Sequence, residues 1–249
     1  MGNVIKSELF KLRKDRSFRT LTWLLIAVSV LYPLLMVVDD GPTLVNVEEF
    51  YMYNIIGGNN YIVKLVPCIL AGFFISSEFS IGTMKSMVAS GNSRIRIYFA
   101  KLIVYAIGAI VISLILPLVL TGASALYFGF SHLPELSYYL ETVGCIALYA
   151  AAFASIMAIF STIFTDSGRT IGFLLLFFLL FDSILYILSN KISFFEPIFN
   201  YSVFKLLLDI VNIHSMDGGE VFTLVLVPIV TFIVFGVIGS LIFKKKEIK

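Results

Sequence analysis

The side chains with the most potential for chemistry in this sequence are one carboxylate inside an apolar run and two isolated histidines. Asp182 lies near the middle of Thr170–Asn190, which has no other charge. A carboxylate in such a segment is costly and usually faces a polar interior or water. Three interpretations of Asp182 are open from the sequence: a polar contact on a functional path, a structural hydrogen bond to a neighbouring helix, or a carboxyl group that stays protonated. His132 and His214 are far apart in the sequence, and we interpret both as ordinary loop residues.

Patterns for catalysis and for cofactor binding are missing from the sequence. The chain has neither a GxxxxGK[ST] phosphate loop nor an HExxH metal motif. No order of serine, histidine and aspartate indicates a nucleophile. We therefore expect no catalytic residue, no metal site and no enzyme activity in this chain.

The amino-acid composition indicates that much of the protein surface is in contact with lipid and not with water. Hydrophobic residues make up 59% of the 249 residues and charged residues only 14%, whereas soluble domains carry roughly 25% charged residues. A soluble protein could not cover its apolar surface with so few charges. The sequence predicts an integral membrane protein.

Six apolar segments have the length of a membrane-crossing helix, which needs about 20 residues. The second segment is the weakest, because it reaches full length only if Lys64 extends its ammonium group towards the membrane surface. The predicted spans are residues 21–38, 61–77, 102–128, 142–165, 170–190 and 221–243. The predicted fold class is all-α, a single polytopic membrane domain over residues 1–249.

The distribution of basic residues orients the spans. Segments 1–20, 78–101, 165–169 and 244–249 hold 15 of the 18 lysines and arginines. Because cytoplasmic loops are enriched in these residues, we expect both termini in the cytoplasm. Without the second span, the basic 78–101 stretch would lie on the other side.

Two further segments are predicted to be helical without crossing the membrane. Residues 3–19 place Ile5, Leu9 and Leu12 on one stripe surrounded by basic residues, which is typical of a helix in the headgroup layer. A solvated basic tail is the alternative. Residues 191–220 are rich in apolar side chains but interrupted by a proline and polar residues. They predict short re-entrant or interfacial helices, an outer hairpin segment.

The stretch 78–101 is too polar to cross a membrane and too apolar for a solvated loop. A short helix with an apolar face is predicted from Phe79, Ile81, Met84, Met87 and Val88. After a break, Ser93 has the position of an N-cap for a helix beginning near Arg94. Exposed apolar patches mark interaction sites, so this segment either binds a partner or folds against its own protein.

This stretch resembles the family of ABC-2-type transporter permeases. The resemblance is carried by Glu78, Gly82-Thr83, Ser93-Arg94 and Lys101 at the start of a span. It extends over the whole chain through the amphipathic N-terminal helix, the six spans and the hairpin segment. In size and loop pattern the chain is similar to small Gram-positive permeases that export phenol-soluble modulins or give immunity to lantibiotics and bacitracin.

The resemblance implies an ATP-driven exporter in the bacterial cytoplasmic membrane. The permease would form a homo- or heterodimer, and each copy would bind one cytoplasmic ABC ATPase. That ATPase would hold ATP and magnesium, and this chain would bind no cofactor and no nucleic acid. The cargo would be an amphipathic or antimicrobial peptide or a lipid-like molecule, with Asp182 on its path.

The residues expected to couple the chain to the ATPase lie in segment 78–101. A coupling helix is an apolar plug with a polar rim in a partner's groove, and Met84 and Met87 are expected to face that groove. The full set is Glu78, Phe79, Ile81, Gly82, Thr83, Met84, Met87 and Arg94.

Two other function classes remain open from the residues alone. An ion- or proton-coupled carrier would be supported by inverted repeats with broken helices, and no such repeat is evident. A membrane-embedded enzyme would need a catalytic constellation, which the spans do not offer.

Labelling of single cysteines tests the predicted orientation. A membrane-impermeant thiol reagent added to intact cells should modify cysteine at Leu133 and at Asp217 but not at Asn92, because only the first two are expected outside. Modification at Asn92 from outside would remove the second span and contradict the predicted topology.

Overall fold

The computed structural model describes residues 2–40, 46–130 and 132–247. It is 89% helical, without a strand in these ranges. Six helices are long and apolar enough to cross a membrane, so the predicted all-α polytopic fold is confirmed. In chain order the helices are α1 (Gly2–Lys14), α2 (Arg16–Asp40), α3 (Val47–Ser80), α4 (Thr83–Ala89), α5 (Arg94–Phe128), α6 (Leu136–Ile163), α7 (Ser167–Lys191), α8 (Phe195–Asn200), α9 (Val203–Asp209) and α10 (Gly218–Lys245).

Short polar side chains set several helix starts. Ser93 Oγ accepts a hydrogen bond from the Arg96 N–H group at 3.4 Å, so the predicted N-cap of α5 is confirmed. Asp217 and Glu220 form a capping box at the start of α10. Asp15 Oδ1 accepts from the Phe18 N–H group at 2.8 Å, and there the chain breaks between α1 and α2. The single helix predicted over 3–19 is therefore two.

The second crossing helix is much longer than the predicted span 61–77. It begins at Val47, where Asn46 Oδ1 accepts a hydrogen bond from the Glu48 N–H group at 3.0 Å. The polar stretch Gly57–Asn60 continues the helix, and both of its asparagines are buried. Wider π-helical turns interrupt the long helices at Tyr51–Ile56, Gly72–Ser76 and Leu116–Leu120.

The core of the bundle is formed by α3, α5 and α6. Their most apolar 18-residue windows are 56%, 61% and 67% buried, against 17% for each of α2, α7 and α10. Small residues let α6 approach its neighbours closely, and its fully or nearly fully buried alanines are Ala150, Ala152, Ala154 and Ala158. The outer helices therefore present most of their apolar surface to their surroundings.

Charged segments separate to the two ends of the bundle. At the end that we name the basic end lie α1, α4, the turn from α6 to α7 and the end of α10, joined by contacts such as Lys11–Glu78 and Arg94–Lys244. At the opposite, acidic end lie α8, α9 and a 3-10 turn at Ile210–Ser215, where Tyr138 Oη donates to the Val211 carbonyl at 2.9 Å. The short helices predicted for residues 191–220 are present.

Close packing of α3 against α7 gives a testable consequence. A Cβ atom at Gly72 would overlap with Ile171 Cγ1 and lie 2.9 Å from the Ser167 backbone oxygen. Because the backbone cannot move away easily, Gly72→Ala should destabilise the fold by about 1–3 kcal/mol. Gly172→Ala on α7 is the control, since no atom lies within 4 Å of its added methyl group. Thermal unfolding in detergent measures both, and equal melting temperatures would contradict the close approach.

Candidate functional site

Four charged side chains from three helices meet at the basic end. Lys101 Nζ on α5 lies 2.8 Å from Glu8 Oε2 and 2.6 Å from Glu78 Oε2. Lys11 Nζ on α1 lies 2.6 Å from Glu8 Oε1 and 3.1 Å from Glu78 Oε1. The signs alternate, so every charge has two opposite neighbours and the group is neutral. We name these four residues the charge ring.

Because two of its members are buried, the charge ring is required for the stability of the fold. The Glu8 and Lys101 side chains are 1% and 4% exposed, and a buried charge without its partner is strongly destabilising. Burial raises the pKa of Glu8, but the adjacent Lys101 and Lys11 outweigh it and hold that pKa below the usual 4.5. Burial lowers the pKa of Lys11, but hydrogen bonds and attraction from Glu8 and Glu78 leave it raised. Glu8 is therefore ionised and Lys11 protonated at neutral pH.

The charge ring fixes the start of the connection between α3 and α5. Glu78 lies in the last turn of α3, and Gly82 follows at a φ of 82° before α4 begins. Gly91 ends the short helix region at a φ of 81°. Only glycine adopts these left-handed angles readily. The connection 81–93 is thus a short helix between two glycine hinges, held at one side by Glu78.

The apolar face of α4 points into the bundle. Met84 is 1% exposed and lines a small cavity together with Phe79, Tyr98 and Phe243. Met87 is half-buried, and its sulfur accepts from Lys11 Nζ at 3.7 Å. The outward orientation expected for Met84 is therefore wrong, because its stripe completes the chain's own core. The exposed side of the segment is formed by Ile81, Thr83, Lys85, Ser86 and Ala89.

The other residues predicted to couple the chain to a partner lie in different environments. Glu78 belongs to the charge ring. Phe79 packs its ring 6.1 Å from that of Phe243 and 4.3 Å from Lys246 Nζ. Arg94 donates to the Lys244 carbonyl at 3.1 Å and so caps the end of α10. Their roles in coupling, with those of Ile81, Gly82, Thr83, Met84 and Met87, stay predictions.

The C-terminal end of α10 is fastened to the same region. Lys246 Nζ donates to the carbonyl groups of Thr162 and Ile163 at the end of α6. Burial lowers the pKa of Lys246. The sequence shows Lys246 only as part of a basic run at a span end, and no local signal indicates that it caps another helix.

A second ion pair lies within the membrane-crossing region. Lys64 Nζ on α3 is 2.6 Å from Asp182 Oδ2 on α7, and the two side chains are 3% and 24% exposed. The predicted extension of Lys64 towards the membrane surface is wrong, because the ammonium turns inward to the carboxylate. The sequence did contain a signal for this pair, because Lys64 and Asp182 are single charges of opposite sign in two different apolar segments.

Comparison with known proteins identifies the family. The sequence profile described as ABC-2 family transporter protein matches residues 4–181 of the 249. The chain belongs to this family. The matched region contains the charge ring, the connection 81–93 and Lys64, and it ends one residue before Asp182. No curated protein matches the chain.

Family membership establishes the coarse role of the chain. An ABC-2 permease is the membrane subunit of an ABC transporter, and a separate ABC ATPase partner hydrolyses ATP. The chain is therefore a multi-pass transporter subunit and not an enzyme. The carrier and membrane-enzyme alternatives are set aside by this result.

The charge ring predicts a pH-dependent stability difference. Glu8→Gln leaves two lysines facing one carboxylate, which should cost about 3 kcal/mol at pH 7. Since the folded-state pKa of Glu8 is lowered, its contribution is present above about pH 4.5 and is lost as the pH falls through that lowered value. The difference between the melting temperatures of the two proteins should therefore shrink as the pH falls below about 4.5.

Glu141→Gln serves as the control for this series. Glu141 is an exposed carboxylate at the acidic end, 3.6 Å from His214, and its loss should change the melting temperature little. A Glu8→Gln protein as stable as the wild type at pH 7 would contradict the charge ring.

Proposed function

We propose that this chain is the membrane-spanning subunit of a bacterial ABC exporter, with both termini and the basic end in the cytoplasm. The observation that carries the proposal is the connection 81–93, presented at the basic end and anchored there by the charge ring. The orientation is supported by the 15 of 18 basic residues in the four segments of that end. ATP and magnesium are held by the ATPase.

The exposed side of α4 and its flanks suits docking on the ATPase. Ile81 is 74% exposed, and the polar residues Thr83, Lys85 and Ser86, which follow it in the sequence, are exposed as well. An apolar anchor within a polar rim is typical of energetic centres of protein interfaces. Met84 contributes from the other side by seating α4 in the bundle.

The charge ring gives this docking a mechanical consequence. Glu78 ends α3, Lys101 lies near the start of α5, and Glu8 belongs to α1. A push of the ATPase on α4 therefore moves three helices as one body. In the proposed assembly two permease copies, identical or different, each bind one ATPase subunit, so closure of the ATPase pair displaces both bundles.

The cargo best suited to this chain is an amphipathic or antimicrobial peptide. The outer face of α7 is apolar and aromatic, and its exposed large side chains include Phe173, Leu176, Leu180, Ile184 and Tyr186. Asp182 on the same helix is 24% exposed, which puts one polar contact on an otherwise apolar wall. A peptide with one apolar face and some polar groups matches both.

Reconstituted transport tests the proposed function. The chain and its ATPase partner are placed in liposomes with a fluorescent amphipathic helical peptide outside. ATP added outside reaches only those complexes whose ATPase faces outward, so an exporter should accumulate the peptide in the lumen. Lack of ATP-dependent uptake would contradict peptide export, and ATP-driven release of preloaded peptide would contradict the direction.

A charge at Ile81 tests the docking surface. Ile81→Asp should leave the melting temperature unchanged, because the side chain is exposed, but should prevent co-purification with the ATPase, because an interface would bury an unpaired charge. Leu133→Asp, an equally drastic change of a half-exposed apolar residue near the acidic end, is the control and should keep the complex. An intact complex with Ile81→Asp would refute this docking surface.

A further inference from the structure

Lys64 carries hydrogen-bonding capacity that the fold does not use. An ammonium group has three N–H donors, and the acceptor of Lys64 Nζ in the described ranges is Asp182 Oδ2 at 2.6 Å. The Tyr61 ring lies 5.5 Å from the same nitrogen. At 3% exposure, the Lys64 side chain is shielded from bulk water. Two donors are therefore spare in a buried position.

Asn60 adds a spare acceptor to the same face. It precedes Lys64 by four residues, so the two side chains lie one above the other on α3. Asn60 is 8% exposed, and its Oδ1 atom has no hydrogen-bond partner within the described part of the chain. Buried polar atoms are nearly always paired. Asn60 and Lys64 thus place an unused acceptor and unused donors on the same face of α3.

The chemical complement of this pattern is a peptide carboxyl end. A carboxylate offers oxygen atoms to Lys64, and the adjoining amide N–H group offers a donor to Asn60 Oδ1. The Asp182 side chain demonstrates that a carboxylate fits against Lys64 Nζ. Asp182 is also the more exposed member of the pair, so a molecule from outside the bundle reaches the carboxylate first.

The position along α3 places this site in the half of the membrane that is farther from the basic end. Lys64 is 16 residues from Ser80 at the end of α3, which is about 24 Å along a helix. The apolar core of a bilayer is about 30 Å thick. Cargo that moves from the basic end therefore meets Lys64 after passing the middle of the membrane.

We propose that Asn60 and Lys64 form a binding site for a carboxylate of the exported peptide, and that Asp182 occupies this site when no peptide is bound. The inference rests on the proposed peptide export and adds the chemistry by which the peptide is held. Exchange of one carboxylate for another keeps the buried Lys64 ammonium paired, and the displaced Asp182 carboxylate is the more exposed of the two original partners. On release the Asp182 carboxylate returns to Lys64.

Two synthetic peptides test this site. They share one amphipathic sequence without acidic side chains and differ only in ending in a free carboxylate or in an amide. ATPase activity of the reconstituted permease–ATPase complex is measured against peptide concentration. The free acid should give half-maximal stimulation at about a tenfold lower concentration, since the amide offers Lys64 only a neutral acceptor in place of a charged one.

Variants assign the preference to Lys64. In Lys64→Met the two peptides should act at equal concentrations. In Asp182→Asn the free acid should act at a lower concentration than in the wild type, because the competing carboxylate is gone. Lys205→Met removes a lysine paired with Asp209 at 2.5 Å at the acidic end and should keep the wild-type preference.

The outcomes separate this inference from the proposed function. Equal action of the two peptides on the wild type, or a preference that persists in Lys64→Met, would overturn the carboxylate site while leaving peptide export intact. If neither peptide stimulates a complex with normal basal activity, peptide export fails and the site with it. Should Lys64→Met assemble poorly, Lys64→Met with Asp182→Asn removes the unpaired carboxylate and gives the same comparison.

Discussion

A charge buried inside a membrane protein is stable only when it is paired with an opposite charge, and the basic end of this protein depends on that constraint. Glu8 and Lys101 are almost fully buried, and each requires its partners in place. The four residues of the charge ring come from positions separated by up to 93 residues. Their pairing therefore fixes α1, the end of α3 and the start of α5 relative to one another. The position of α4 follows from this, because its chain leaves α3 directly after Glu78.

The charge ring and the Lys64–Asp182 pair differ in how completely their charges are paired. In the charge ring each carboxylate faces two ammonium groups, and each ammonium faces two carboxylates. The Lys64–Asp182 pair has a single contact, with spare donors on one side and partial exposure on the other. A closed group resists exchange, whereas an open pair admits a competing ligand. This difference is consistent with a fixed platform at the basic end and an exchangeable contact within the membrane.

Properties that depend on local composition were predictable from the sequence. The six crossing helices, the N-cap at Ser93 and the short helices between the last two spans follow from apolar length, cap chemistry and a proline. The partners of individual charges were not predictable, because they depend on which helices become neighbours. Lys64 was expected at the membrane surface for this reason, and Glu8 gave no signal within a basic segment. The apolar stripe of α4 was visible, but a stripe alone does not tell whether Met84 faces a partner or the chain's own core.

Hydrogen exchange of the connection between α3 and α5 tests the central claim that the charge ring anchors this segment. Lys101→Met removes the ammonium that joins Glu8 to Glu78, and exchange is followed by mass spectrometry in the wild type and the variant. We expect at least about tenfold faster amide exchange in residues 77–93, through local opening, and unchanged exchange in residues 218–235 of α10, away from the basic end. Unchanged protection of residues 77–93 in the variant would show that the charge ring does not anchor this segment.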